Sequence, residues 1–245
     1  MFGWRGKLGY VSPSTMQVPM ELEDMLPDGV AVIGTNLGVR AHQAAEFDRA
    51  YEGIPAALDL LVGEGAQAIY LEGVPVAVRQ GWAAEQEAHR AWSERAGVPV
   101  TSGFAAAVGA LQYLGARRPV VATAYRDEWN DLIARYLADA GVAPGEVRGL
   151  SVQTPAEAGR VDATVFYQLA RQLVDGHGEA NAVVLGARGN LMPVALELER
   201  DFGLPVVFGT PAGLWWGLRQ LGVSAPRGWG LLLDSLAVAE HGAGR

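Results

Sequence analysis

Two apolar runs punctuate the chain in the same way. The first is Ala68-Ile69-Tyr70-Leu71, broken by Glu72-Gly73-Val74-Pro75; the second is Ala182-Val183-Val184-Leu185, broken by Gly186-Ala187-Arg188-Gly189. Short runs, apolar throughout and closed by glycine, predict strands buried on both faces of a parallel sheet. The break then lies at the carboxyl ends of the strands, the edge where open α/β sheets bind ligands. The sequence after each run repeats too. Gly73 is followed by a polar helical stretch, Gly97-Val98-Pro99-Val100, the turn Ser102-Gly103, and an apolar helix ending at Leu114-Gly115. Gly186 is followed by a helical stretch, Gly203-Leu204-Pro205-Val206, the turn Gly209-Thr210, and an apolar helix ending at Leu221-Gly222. Such a repeat implies an internal duplication. It predicts an α/β fold of two similar lobes with parallel sheets, residues 1–115 plus 223–245 forming the first and 116–222 the second, and a site where their strand ends face each other.

The remaining pattern fits this plan. Lys7 to Val11 reads as a first strand running into Ser12-Pro13-Ser14-Thr15, and Val30 to Ile33 as a second, followed by a loop over 34–42. Phe47, Tyr51, Ile54, Leu58, Leu61 and Val62 have helical spacing, with a kink expected at Pro55. Trp82, Glu85, His89 and Trp92 share one helical face, which reads as a solvated or interface helix. Pro119 to Thr123 is the second lobe's counterpart of Lys7 to Val11. Trp129, Leu132, Ile133, Tyr136, Leu137 and Ala140 form the apolar face of the helix after it. Thr154-Pro155-Ala156-Glu157 has capping-box spacing, a helix follows with Gly176 as its cap, and Leu231 to Val238 can pack back on a lobe.

Composition narrows the chemistry. The 245 residues are half hydrophobic and carry a net charge of −8, with a pI of about 5.0. The absence of a basic stripe argues against nucleic acid as the main partner. The apolar stretch from Ser102 to Ala116 is too short to cross a bilayer, and Met1 to Arg5 lacks a signal-peptide pattern, so the expectation is a cytoplasmic protein with no membrane partner. There are no cysteines, which excludes disulfides, thiolate metal sites and thiol nucleophiles. The histidines lack ligand spacing, and no GxGxxG or Walker sequence occurs, so neither a metal nor another cofactor is expected. Association into a homo-oligomer stays open.

Five features carry candidate chemistry. Glu72 ends a buried strand; poor solvation there would raise its pKa toward a useful acid/base value, and pairing with a cation would lower it. Against that stands an outward-facing strand-end glutamate. Tyr125, at the end of the fifth strand, can donate its hydroxyl to an anion or simply cover a helix start. Arg188 is the one cation directly at the duplicated glycine turns, able to clamp a carboxylate, pair with Glu72 or face solvent. Ser14 and Thr15 place hydroxyls at the first strand end. The turns at Ser102-Gly103 and Thr210-Pro211, with Thr210 as N-cap, would aim two helix N-termini at one cleft.

Val11-Ser12-Pro13-Ser14-Thr15, Ala122-Thr123-Ala124-Tyr125 through Asn130, and Gly203-Leu204-Pro205-Val206-Val207 through Trp215 resemble the aspartate/glutamate racemase superfamily. The nearest branches are arylmalonate decarboxylase and maleate cis-trans isomerase, with the ectoine-utilisation racemase-like proteins close by. The resemblance covers nearly the whole chain and implies two pseudo-symmetric flavodoxin-like lobes with the active site between them. It also implies cysteines at the two echoed strand ends, both in racemases and only the second in the decarboxylase. Here those positions are Gly73 and Gly186. Tyr125 matches a hydroxyl donor that holds the enediolate in the decarboxylase. The hydroxyl residues after the first glycine are Val74 and Pro75 here, a glycine pair in the second lobe is Ala187-Arg188, and the asparagine of maleate isomerases is Met16. The resulting expectation is a cysteine-independent enzyme acting on a small carboxylate or carbonyl compound through an enolate or oxyanion, like a decarboxylase. Glu72 and Tyr125 would be catalytic, and Ser14, Thr15, Gly73, Val74, Gly186, Arg188 and Thr210 would bind substrate. A hydrolase or hydratase using Glu72 to activate water, an isomerase-like enzyme and a non-catalytic carboxylate-binding protein are the alternatives.

Overall fold

The computed structural model describes residues 2–14, 19–41, 43–187 and 189–237. The first half runs β1 (Gly6–Ser12), α1 (Met20–Asp24), β2 (Val30–Asn36), α2 (Ala44–Gly63), β3 (Ala68–Leu71), α3 (Val74–Gln80), α4 (Trp82–Ala96), β4 (Val100–Ser102) and α5 (Gly103–Tyr113). The second half runs β5 (Pro119–Thr123), α6 (Asp127–Asp139), β6 (Val147–Gly149), α7 (Pro155–Ala158), α8 (Ala163–Gly176), β7 (Ala182–Gly186), α9 (Met192–Phe202), β8 (Val206–Val207), α10 (Gly209–Leu221) and α11 (Gly230–Asp234).

The strands form two all-parallel sheets of four, in the orders β2-β1-β3-β4 and β6-β5-β7-β8. The two orders are the same, so the duplication seen in the sequence is a duplication of topology. In each sheet the order reverses between the first and third strands of the half, β1 and β3 or β5 and β7. The gap beyond such a reversal is where open parallel sheets accommodate ligands.

The core strands β3, β5 and β7 are buried at every position, as all-apolar parallel strands should be. Helix ends are satisfied locally where the sequence allows. Ser102 accepts from the Ala105 N–H at 3.0 Å to start α5, and Asp162 accepts from the Thr164 N–H at 2.9 Å to start α8. The Thr154–Glu157 capping box forms in both directions.

The two halves share walls. Helix α10 belongs to the second half but packs on the first sheet, with Gly213 against the Tyr70 ring and Gly217 against Leu8. A side chain at either position would collide with that neighbour, so both glycines are set by the close approach. Helix α5 lies alongside α10 and reaches the second half, where Phe104 packs on Tyr136 and the Gln112 side chain donates to the Ala140 carbonyl at 2.9 Å. Helix α11 contacts α9, β8 and α10.

Several local expectations shift. β2 continues to Asn36, through part of the expected loop, because it pairs with β1 along its whole length. The stretch after Gly73 breaks at Gly81, and its first part, α3, is apolar and buried. α2 continues through Pro55 as a single helix. Of the two readings of the α4 face bearing Glu85 and His89, solvated or interface, the second holds: the face is buried, and the Tyr136 hydroxyl donates to the Glu85 carboxylate across the α4–α6 contact. α10 starts two residues early, with Phe208 as its N-cap and Thr210 inside its first turn. The cap of α8 is His177. The edge strand β6 has no counterpart in the sequence reading.

Candidate active site

The ends of β1, β3, β5 and β7 open on one cavity of about 500 Å³. Its first wall holds Ser12 at the end of β1, Pro13 and Ser14 beyond it, and Glu72, Gly73, Val74 and Pro75 after β3. Across from it stand Tyr125 after β5 and Leu185, Ala187, Gly189 and Asn190 around the end of β7. The loops at the two echoed strand ends therefore face one another, at the topological reversal of each sheet. Tyr10, Phe47, Met20 and Phe208 make the remaining surface largely apolar.

Glu72 is the central polar group. Its backbone N–H continues the ladder to the Val11 carbonyl at 2.8 Å, which fixes where its side chain leaves the strand. The carboxylate lies between the first residues of α5 and α10. A Cβ built on Gly103 would come within 3.0 Å of its oxygens, and one on Gly209 within 2.5 Å. The two helix N-termini converge as expected, but the chain's own carboxylate sits between them. Burial pushes the Glu72 carboxyl up from an ordinary 4.5 to about 7, with the charge of Glu21 adding to this and a hydrogen bond from the Gly73 N–H opposing it. Oε1 is enclosed and has no hydrogen-bond partner among the described residues.

Gly73 caps α3 with φ 109°, and a Cβ there would meet the Pro13 ring at 2.9 Å. Both the backbone conformation and the space demand glycine. Gly186 is different: its φ is unremarkable, and a Cβ would meet Thr123 at 3.0 Å and the Tyr125 ring at 3.7 Å. Gly186 lies beneath Tyr125 and outside the cavity lining.

Tyr125 is positioned by a buried polar network. The Thr123 hydroxyl donates to Asn130 Oδ1 at 2.6 Å and accepts from the Tyr125 N–H at 3.1 Å. The Tyr125 carbonyl accepts from the Ser151 N–H at 3.2 Å, where Ser151 holds a left-handed φ of 57°. Gly149 leaves room for that carbonyl, because a Cβ would overlap it. The phenol is buried against the cavity, and burial together with the nearby Glu72 charge raises its pKa, so it stays a neutral donor.

Of the other expected site residues, Ser14 and Val74 line the cavity. Thr210 lines it too, but its hydroxyl hydrogen-bonds Glu21. Thr15 and Arg188 lie outside the described residues. Among the described residues, no group of three or more His, Asp or Glu could hold a metal ion, and no helix is long and apolar enough to cross a membrane.

Two polar residues of the cavity, Asn190 and Glu21, escaped the sequence reading, and the second is the more consequential. Glu21, on α1, is buried, and its Oε2 accepts from the Leu191 N–H at 2.9 Å and the Met192 N–H at 3.1 Å. It therefore caps α9 from the opposite half of the molecule. Burial raises its pKa to about 7 despite these bonds. Its sequence, Met20-Glu21-Leu22-Glu23, carries the pattern of any short surface helix.

A family model described as arylmalonate decarboxylase matches residues 8–233. Arylmalonate decarboxylase of Bordetella bronchiseptica is 30% identical over 227 residues, covering 91% of this chain and 94% of that protein. A crystal structure of a liganded double variant of arylmalonate decarboxylase is similar with a TM-score of 0.89 at 27% identity, covering 94% of this chain and 99% of the other. A Nocardia farcinica maleate cis-trans isomerase variant with a covalently bound succinylcysteine intermediate shares the fold, with a TM-score of 0.84 at 22% identity over 94% and 98% of the two chains.

Proposed function

The chain belongs to the arylmalonate decarboxylase family, and from that premise we propose that it is a cysteine-independent, cofactor-independent enzyme that decarboxylates a small carboxylic acid through an enolate. The family supports decarboxylase or isomerase-like activity. The covalent cysteine route seen in the isomerase relative is closed here, because the chain has no cysteine.

The observation that carries this reading is Glu72: a carboxyl with a pKa of about 7 at the end of β3, in the cavity that Tyr125 also lines. At neutral pH such a group is present in both protonation states, which suits a general acid. In the proposed step the bond between the departing carboxylate carbon and its neighbour breaks. CO2 leaves, and the electron pair passes into an enolate. The Tyr125 hydroxyl donates a hydrogen bond to the enolate oxygen, and the amide and hydroxyl groups around Ser14 add to the frame. Protonated Glu72 then gives its proton to the carbanionic carbon, and water restores it. Arg188 and Thr15 are the candidate contacts to a carboxylate that remains.

Substituted malonates and unsaturated dicarboxylates form the first panel. CO2 release and deuterium incorporation from D2O are the readouts. Glu72→Gln keeps the shape and removes the proton; it should bind substrate yet lose roughly 10²–10⁴-fold in turnover. Turnover retained within a few-fold by well-folded Glu72→Gln would remove Glu72 from the chemistry.

A further inference from the structure

The cavity contains a second carboxylate that the proposed reaction leaves without a role. Glu21 and Glu72 flank the start of α10: Glu72 lies against Gly209, and Glu21 bonds to Thr210, the next residue. Both carboxylates open on the same cavity.

Their surroundings differ in one respect. Glu21 has three donors, namely two backbone N–H groups that cannot move without unwinding α9 and the Thr210 hydroxyl. Glu72 has the Gly73 N–H and an Oε1 with no partner among the described residues. Donors stabilise a carboxylate and do little for a carboxylic acid. When two buried carboxyls share fewer than two protons, the proton stays on the one with fewer donors. That one is Glu72. Among the described residues, the other titratable groups near the pair are tyrosines: Tyr70 on β3, Tyr10 on β1, and Tyr125 across the cavity. Burial raises the Tyr70 and Tyr125 phenols, which keeps them neutral, and Glu21 is the one charge among the described residues shown acting directly on Glu72.

We propose that Glu21 is a positioning residue that, made the preferred anion of the pair by the start of α9 and by Thr210, keeps the proton on Glu72 and so sets the protonation state of the cavity. It couples that state to the contact between the two halves, because the same carboxylate carries the charge and makes the cap. This rests on the reading of Glu72 as the proton carrier, but its test does not require a substrate.

Glu21→Gln retains an oxygen that can accept from Leu191 and Met192 and removes the charge. The ionisation of Glu72 is followed by carbon-13 NMR of labelled glutamate carboxyls in the ligand-free protein, with Glu72→Gln identifying the resonance. Glu21→Gln should lower the midpoint of Glu72 by roughly one pH unit, and Glu21→Asp, which restores the charge, should recover part of it. Once a substrate is found, the alkaline-side limb of the kcat profile, where the required acid is lost, should move the same way. Should Glu21→Gln fail to fold, Thr210→Val serves. Removing a donor from Glu21 draws the proton toward it, so the Glu72 midpoint should again fall. A merely structural cap would lower stability and leave the midpoint of Glu72 in place, and that result would overturn the proposal. If instead the midpoint moves but Glu72→Gln retains turnover, the coupling stands and the catalytic assignment falls.

Discussion

Replacing Glu72 by glutamine should make the protein more stable, and increasingly so as the pH rises. In the folded chain the Glu72 carboxyl titrates near 7, against 4.5 when unperturbed. Below the unfolded value the carboxyl is protonated in both states and costs nothing extra. Between 4.5 and 7 the unfolded chain releases this proton and the folded chain retains it, so stability falls as pH rises. Above 7 the full cost is present. Two and a half pH units at 1.36 kcal/mol each come to about 3 kcal/mol. Glutamine has no charge to desolvate and does not titrate. The stability difference between Glu72→Gln and wild type should therefore be flat below pH 4.5, climb through pH 7, and level off about 3 kcal/mol higher. For a chain of this size that is on the order of 5–10 °C in Tm. Urea unfolding at a series of pH values measures it. Any constant offset from the amide itself cancels, because only the pH dependence is read. A difference that does not change between pH 4 and pH 8 would refute a desolvated Glu72.

Two further substitutions probe the geometry around that carboxyl. Gly209→Ala places a methyl group 2.5 Å from a Glu72 oxygen and should cost about 1–3 kcal/mol in thermal or urea unfolding; in a Glu72→Ala background most of that cost should vanish, and an unchanged cost would mean the two residues are not in contact. Tyr125→Phe should leave stability within about 1 kcal/mol and reduce kcat by roughly ten- to a thousandfold through loss of one donor to the enolate oxygen, with single-turnover decarboxylation as the assay.

The strand ends that build the cavity were readable because their signal is local. An apolar run that stops at glycine announces a buried strand and its exit, which located Glu72, Gly73 and Gly186. Recurrence of that pattern exposed the duplication. What could not be read depends on distant partners. Glu21 has its donors 170 residues away, and nothing in a short acidic helix distinguishes the buried glutamate from Glu23, which stays outside the core. The sequence placed two helix starts at a shared cleft but gave no sign that Glu72 would lie between Gly103 and Gly209. Val147-Arg148-Gly149 is too short and too polar to show periodicity, and it becomes a strand only because β5 offers an edge to pair with. The α4 face was left open between solvated and interface for a related reason: nothing local decides it until the Tyr136 hydroxyl is placed opposite Glu85.

The shared wall between the halves has a consequence for how the protein comes into being. The residues of α10 are synthesised long after β1 to β4, yet they cover Leu8 and Tyr70 of the first sheet. A nascent chain that has completed β1 to β4 thus leaves the ribosome with one apolar face bare, and keeps it so while the next hundred or so residues are added, a wait on the order of ten seconds at ordinary elongation rates. The early half is a template awaiting its cover. Folding to completion becomes a property of the finished chain, and the interval before α10 arrives is when the protein is most open to aggregation and to chaperones.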